Sequence, residues 1–273
     1  MQTWKVTLSY DGTDYRGWQV QPGERTIQGE LQAAIERITG ESPLPQGSGR
    51  TDAGVHALAQ VASFALKAPI PPDSLHRALN RTLPVSIRAF EARIMPGSFH
   101  ARHSAVAKTY EYRVWLQRAE SVDICSPFVA RYVFPCPSRL DRQALEDAAG
   151  HFIGEHDFES FAATDPDATT RRADPATRSL SPDEEDAPST ARTIFTSAWE
   201  EQATETGDLL VYRIRGNGFL HHMVRNLVGT MLDVGRGHLA SHDVPRILAA
   251  RSRSAAGPTA PARGLFLHSV EYD

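Results

Sequence analysis

Residues Gln46 to Ala62, QGSGRTDAGVHALAQVA, set the reading of the whole chain. Three glycines, Gly47, Gly49 and Gly54, surround a polar cluster of Ser48, Arg50, Thr51, Asp52 and His56, and an alternating apolar run follows at once. The pattern predicts a tight loop anchored on a strand, one that presents side chains rather than burying them. Glycine permits positive φ and the close approach of a ligand to the backbone. Arg50 beside Asp52 sets a guanidinium next to a carboxylate and keeps it ionised, which makes it a candidate nucleophile or base. Turn chemistry explains the same residue types, so the stretch is not decisive by itself. It lacks the Lys-Ser/Thr of a P-loop and the glycine spacing of a dinucleotide fingerprint. A Ser48/Asp52/His56 triad can be written down, but triads are defined in space and nothing in this spacing favours one.

Working outward, Trp4 to Tyr10 alternates as a half-buried strand does and ends at the turn signal Asp11-Gly12. Thr26 to Thr39 has helical spacing with Gly40 as its stop. Gln60 to Leu66 is a second strand, Asp73 to Leu83 a helix ended by Pro84, and Val85 to Arg93 a third strand, so this part reads β-α-β-α-β. After the aperiodic Pro96 to Ala105, the run Lys108 to Leu116 alternates with Tyr110, Tyr112, Val114 and Leu116 on one face. Leu140 to Ile153 predicts a helix with Asp141 as N-cap and Gly154 as its close. Thr193 to Glu200 and Leu209 to Arg215 predict a hairpin, Ser241 to Ala250 a short helix, and Leu265 to Tyr272 a last strand. The expected fold is α+β: two similar sheet-plus-helix halves, residues 1–105 and 106–273, with a site in the cleft between them.

Phe219 to Val234 is the second informative stretch. Apolar residues occupy nearly every face, which predicts a deeply buried helix. An arginine in the middle of such a helix, Arg225, needs a carboxylate or must reach the surface. His221 and His222, adjacent on a helix, would stand about 100° apart and could not readily share one metal ion, so no metal site is expected.

The 273 residues suffice for one large domain or two ordinary ones. No apolar window is long enough to span a bilayer, and the start MQTWKVTLSY lacks the pattern of a secretory signal. A cytoplasmic protein is expected. Cys125 and Cys136 have neither disulfide nor zinc spacing. The net charge of −4 on its face argues against a polyanionic partner, but Thr164 to Thr190 carries seven acids against three bases, which leaves the rest of the chain neutral. A neutral body can carry a basic face. That acidic segment, 164–190, is nearly devoid of apolar residues and is expected to be a flexible surface insertion.

Taken together the motifs resemble those of the tRNA pseudouridine synthases, within them the anticodon-stem-loop class, pseudouridine synthase A. The match is Gly49-Arg50-Thr51-Asp52-Ala53-Gly54-Val55-His56 with Gln60-Val61, then Phe99-His100-Ala101-Arg102, Tyr110-x-Tyr112, Asn217-x-Phe219, and His222-Met223-Val224-Arg225-Asn226 with Val228-Gly229. Tyr10-Asp11-Gly12, Gly17-Trp18-Gln19 and Pro258-Thr259-Ala260-Pro261 also fit. Each is weak alone, but the ordered set over nearly the whole chain is specific. The resemblance implies the pseudouridine synthase fold and a uridine isomerised in place at tRNA positions 38, 39 and 40, with no cofactor and no metal. It implies that Asp52 does the central step, by attack at C1′ or by abstraction of a 2′ proton. It implies that Tyr110 packs on the uracil and is suited to proton transfer at C5, that Arg225 pairs with the aspartate, and that Arg50 assists base flipping. The implied partners are the tRNA anticodon stem-loop and a second copy of the chain in a homodimer. The acidic segment is longer than the family's usual connection.

Two rival readings are an RNA-binding protein without catalysis, which loss of Asp52, Tyr110 or Arg225 would have favoured, and a glycosidase-like hydrolase. The second wants another carboxylate as acid, and the loop offers none.

Overall fold

A computed structural model describes residues 1–116, 125–163, 189–204 and 207–273. Strand β1 (Gln2–Tyr10) buries alternate side chains, Trp4, Val6, Leu8 and Tyr10, as a strand with one face on a core must. Helix α1 (Ile27–Thr39) begins where the Thr26 side chain accepts from Gly29 N–H and ends at Gly40 in the left-handed conformation. The two-residue strand β2 (Gln46–Gly47) precedes the loop. Strand β3 (His56–Leu66) starts four residues before the expected Gln60, because His56 and Ala57 already pair in the sheet. Helix α2 (Pro72–Thr82) and strand β4 (Ile87–Met95) follow as expected, within two residues.

Strand β5 (Ala105–Leu116) buries Tyr110, Tyr112 and Val114 on the predicted face and also Glu111 and Trp115 on the other, which marks it as an interior strand. Helix α3 (Pro127–Ala130) and strand β6 (Phe134–Cys136) come next. In helix α4 (Arg142–Gly150) the Asp141 side chain accepts from Ala144 N–H, as predicted. This helix stops at Gly150 instead of Ile153, because Gly154 opens a strand, β7 (Gly154–Asp157), that the sequence reading did not contain. Strands β8 (Ala191–Thr204) and β9 (Gly207–Gly216), helices α5 (Met223–Gly235) and α6 (Val244–Ala250), and strand β10 (Leu265–Tyr272) complete an α+β fold. Of the expected insertion, residues 164–188 lie outside the described residues.

Contacts divide the chain into two compact units. The first comprises Met1–Ser138, Trp199–Asn217 and Pro261–Asp273. Its strands run in the order β4-β1-β3-β10-β5-β9, with β8, which belongs to this unit from Trp199 onward, beside β9. β1 is antiparallel to β3 and β4, β5 is antiparallel to β9 and β10, and β10 is parallel to β3. Because β5 and β10 pair into the same sheet as β1 and β3, this unit does not follow a division at residue 105.

On the second face of β5, Glu111 is 3% exposed and lies between two guanidinium groups, Arg113 Nε at 2.7 Å and Arg213 Nε at 2.9 Å. Burial works against its charge, but the hydrogen bonds and charges of Arg113 and Arg213 outweigh that and hold the carboxyl below the usual carboxylate range.

The second unit comprises Arg139–Ala198 and Gly218–Ala260. Here α4 packs on α5, and β7 is antiparallel to the first residues of β8. Buried Asn226 donates to Phe161 O at 2.7 Å and accepts from the Thr259 hydroxyl at 2.7 Å, so α5 is tied to two chain segments by one side chain. At Gly229 a Cβ would come within 1.6 Å of Pro258 O, so the segment before Ala260 can lie on the helix only over a glycine.

Two outcomes follow for stability. Gly229→Ala should lower it by about 1–3 kcal/mol, the usual range for overpacking, read by urea unfolding. Glu111→Gln should cost about 2 kcal/mol at neutral pH, since it leaves two arginines facing an amide. Because the folded pKa of Glu111 is depressed, its contribution is full above 4.5 and is lost as pH falls through the folded value. The gap between wild type and variant should therefore narrow at pH 3, and an undiminished gap there would contradict the ion-pair account.

Candidate active site

The loop from Ser48 to Gly54 is fixed residue by residue, all within the first unit. Ser48 N–H donates to Val61 O at 2.8 Å, and Lys108 Nζ donates to Ser48 O at 2.6 Å. The Ser48 hydroxyl donates to Gln60 Oε1 at 2.6 Å, and Gln60 Nε2 donates to Gly49 O at 2.9 Å. The Thr51 hydroxyl bonds that of Tyr10 at 2.8 Å, and Thr51 O accepts from Trp18 N–H at 2.9 Å. Val55 N–H closes a turn onto Asp52 O at 3.1 Å, and Gly54, at φ +76°, supplies the left-handed residue this turn needs. The outcome is a half-buried Asp52 and an exposed Arg50 on a loop with little freedom to move.

Tyr110 is near this loop, from the predicted face of β5. A Cβ on Gly49 would lie 3.7 Å from the Tyr110 hydroxyl. Burial first, then Tyr10 and the Asp52 charge, push the Tyr110 phenol well above the ordinary tyrosine range, so it stays protonated. Asp52 and Tyr110 are thus electrostatically coupled. Tyr10 is likewise pushed up to about 12, by burial. Lys108, Gln60 and Tyr10 were missed as contributors to the site. Their signal was in the sequence: Gln60 interrupts an apolar run, and Lys108 shares the face of Tyr110 and Tyr112.

The Ser48/Asp52/His56 triad does not form. Ser48 spends its hydroxyl on Gln60, and His56, 1% exposed, is engaged elsewhere. Gly12 N–H donates to His56 Nδ1 at 3.1 Å, which leaves Nε2–H to donate to Arg131 O at 3.1 Å. The ring stacks on Phe266 with centroids 4.7 Å apart. Burial lowers the His56 pKa against the opposing pull of Asp11, whose Oδ1 lies 3.2 Å from Nδ1. His56 is therefore a neutral structural residue that clamps the turn after β1 to the start of β3.

Arg225 lies in the second unit. Helix α5 starts at Met223, not at the expected Phe219, so Arg225 is in the first turn and half-buried rather than in the middle of a buried helix. Its Nε donates to Ala260 O at 2.8 Å, and its carbonyl accepts from Ala260 N–H at 3.0 Å. The later start also overturns the geometry assumed for the histidine pair. His221 and His222 precede the helix, His222 at φ +59°, and their rings lie 4.0 Å apart.

A family model described as tRNA pseudouridine synthase matches residues 7–104 and 148–273. Among curated relatives, tRNA pseudouridine synthase A of Solibacter usitatus is 46% identical over 272 residues, covering 100% of both chains. The proteins of the same name from Moorella thermoacetica and Bacillus pumilus are 42% and 40% identical, each covering 98% of both chains.

Imidazole titration by NMR should find His56 as the Nε2–H tautomer at pH 7, with a midpoint below 6.5. Since the folded pKa is depressed, the neutral ring's contribution to stability is full above 6.5 and is lost as pH falls from there through the folded value. A midpoint above 6.5 would mean that Asp11 dominates and that His56 is charged.

Proposed function

The chain belongs to the tRNA pseudouridine synthase family and isomerises uridine to pseudouridine in tRNA, and from that premise we propose that it acts on the anticodon stem and loop, at tRNA positions 38, 39 and 40, with Asp52 as its central carboxylate. The observation that carries the assignment is the braced loop: the backbone around Asp52 is hydrogen-bonded on both sides of it, and its charge acts on the buried phenol of Tyr110. A fixed carboxylate beside a group that stays neutral can remain ionised and aimed.

Such a carboxylate has two routes to the same product. It attacks C1′ as the N1–C1′ bond breaks, and this carboxylate–C1′ bond breaks again when C5 bonds to C1′; or it removes the 2′ proton as the base departs by elimination, and returns it to C2′ when C5 bonds to C1′. In either case the uracil turns, C5 bonds to C1′, C5 gives up its proton and N1 gains one. The atoms of substrate and product are the same, so the step consumes no co-reactant. Tyr110 offers the uracil a flat ring to pack on. We assign Arg50 to holding the flipped nucleotide, whose release from the stem costs stacking energy, and Arg225 to the substrate-binding set. The RNA is held through phosphates, 2′-hydroxyls and shape. By the same family argument the enzyme works in the cytoplasm as a homodimer. Among the described residues no helix is long and apolar enough to cross a membrane.

The test is pseudouridine mapping, by carbodiimide modification and primer extension, on unmodified tRNA treated with wild type or Asp52→Ala. Wild type should mark positions 38 to 40. Asp52→Ala should lose at least about a thousandfold in rate while its tRNA affinity stays within about threefold, because binding is spread over many phosphate contacts. Turnover by Asp52→Ala would show that another group does the chemistry, and marks elsewhere in the tRNA would reassign the target.

A further inference from the structure

The loop that presents Asp52 is coupled to the sheet through one buried carboxamide. Gln60, on β3, is 0% exposed, and its amide has only one orientation that satisfies its neighbours. The Gly49 carbonyl can only accept, so the atom 2.9 Å from it must be Nε2. Val61 N–H can only donate, so the atom 3.1 Å from it must be Oε1. The remaining capacity on each side goes back to the loop. Oε1 takes the Ser48 hydroxyl at 2.6 Å, and Nε2 reaches the Tyr10 hydroxyl at 3.5 Å. The Tyr10 hydroxyl in turn shares a hydrogen bond with the Thr51 hydroxyl at 2.8 Å. Three of the four residues that precede Asp52 are thus placed by Gln60, two directly and one through Tyr10.

We propose that Gln60 is a positioning residue for the isomerisation: it does not touch the RNA, and it sets where the Asp52 carboxylate stands. This rests on the reading of Asp52 as the central carboxylate. The brace is built from neutral groups, so it can hold a charged residue nearby without competing for its charge. Buried polar groups of this kind must be satisfied, which is why an amide occurs in an otherwise apolar strand. Binding of the RNA does not pass through it, because its atoms are occupied by the loop and by Tyr10. Its loss should therefore appear in the rate of the chemical step and not in affinity, since displacement of a reacting group by about 1 Å can cost a hundredfold.

The titratable and charged groups that come nearest the brace are Tyr10 on β1, Lys108 and Tyr110 on β5, Tyr272 on β10, and Arg50 and Asp52 in the loop, while Lys5, Glu111, Arg113, His268 and Glu271 also lie on those strands. They matter for the most informative variant, Gln60→Glu. When protonated, a glutamic acid copies the amide: its O–H faces Gly49 O, and its carbonyl faces Val61 N–H and the Ser48 hydroxyl. When ionised, it sets a negative charge against the Gly49 carbonyl. Burial raises the pKa of such an acid, so Gln60→Glu should recover activity relative to wild type as the pH is lowered.

The experiment compares wild type, Gln60→Ala, Gln60→Glu and Asp52→Ala in single-turnover assays on an unmodified tRNA transcript. tRNA Kd is measured alongside, and folding is checked by circular dichroism at the assay temperature. Leu75→Ala, in the core under α2, serves as a variant that is destabilised without touching the loop. Gln60→Ala should lose about a hundredfold in rate with Kd within about threefold, and Leu75→Ala should stay near the wild-type rate. The rate of Gln60→Glu relative to wild type should rise at least about tenfold between pH 8 and pH 6, because the protonated fraction of one acid rises about tenfold for each pH unit above its pKa. If Gln60→Ala does not fold, the Gln60→Glu profile decides the matter by itself. A rate for Gln60→Ala within threefold of wild type, a Kd that weakens in step with the rate, or a flat Gln60→Glu ratio would overturn the proposal. Turnover by Asp52→Ala would instead overturn the reading of the carboxylate. A dead Asp52→Ala beside a fully active Gln60→Ala would sink only the role of Gln60.

Discussion

The arrangement of the first unit depends on one strand pairing, the insertion of β10 between β3 and β5. Phe266 and Leu267 pair in parallel with His56 and Ala57, while Leu267 and Leu265 pair antiparallel with Tyr110 and Tyr112. Neighbouring strands are about 4.8 Å apart, so β3 and β5 are held at roughly twice that spacing, with β10 as the filler. At that separation a tyrosine from β5 reaches the loop that leads into β3, and a shorter side chain would not. The distance between the carboxylate loop and Tyr110 is therefore a property of the sheet order.

The two faces of β5 divide the work. Lys108, Tyr110 and Tyr112 point one way. Tyr110 is neutral, Tyr112 donates to Pro261 O, and Lys108 is bound to the Ser48 carbonyl. Glu111 and Arg113 point the other way, into a chain of charged and aromatic contacts. Arg113 lies 4.0 Å over the Phe266 ring, His56 stacks on the same ring, and the Tyr132 hydroxyl donates to Asp11. The buried ion pairs of β5 are thus concentrated on the Glu111 face, and on the face of Tyr110 the one charged side chain of this set, Lys108, is bound to a backbone carbonyl.

What could be read from the sequence was what is encoded locally. Gly40 and Asp141 mark helix ends through bonds to backbone a few residues away, as read, while Thr26, read as the first helical residue, is the N-cap. Alternation marks β1 and β5 because burial of one face imposes it. Arg50 and Asp52 stand out in the sequence as a charge pair in a glycine-rich loop, and Arg225 as a charge in an apolar helical run, whereas Tyr110 and the role of each of the four come from motif resemblance. Other features were invisible because they are set at long range. No pattern in residues 154–157 announces β7, which exists because β8 offers it a partner. The start of α5 was placed too early because Phe219 to His222 are apolar or aromatic and continue the helical pattern, although His222 adopts a left-handed conformation that a helix cannot contain. The parallel pairing of β10 with β3 joins positions about two hundred residues apart, beyond the reach of any periodicity.

That same pairing has a consequence in time. A chain leaving the ribosome presents β1, β3 and β4 early, and these can pair by local hairpins and crossovers. β5 follows, yet it has no direct partner among them, and the start of β3, His56 and Ala57, lacks its β10 partner until residues 265–272 have been made. Domains that depend on such distant contacts fold slowly and carry unpaired edges meanwhile. The strand that sets the spacing between the Asp52 loop and Tyr110 is thus among the last segments of the chain to be made.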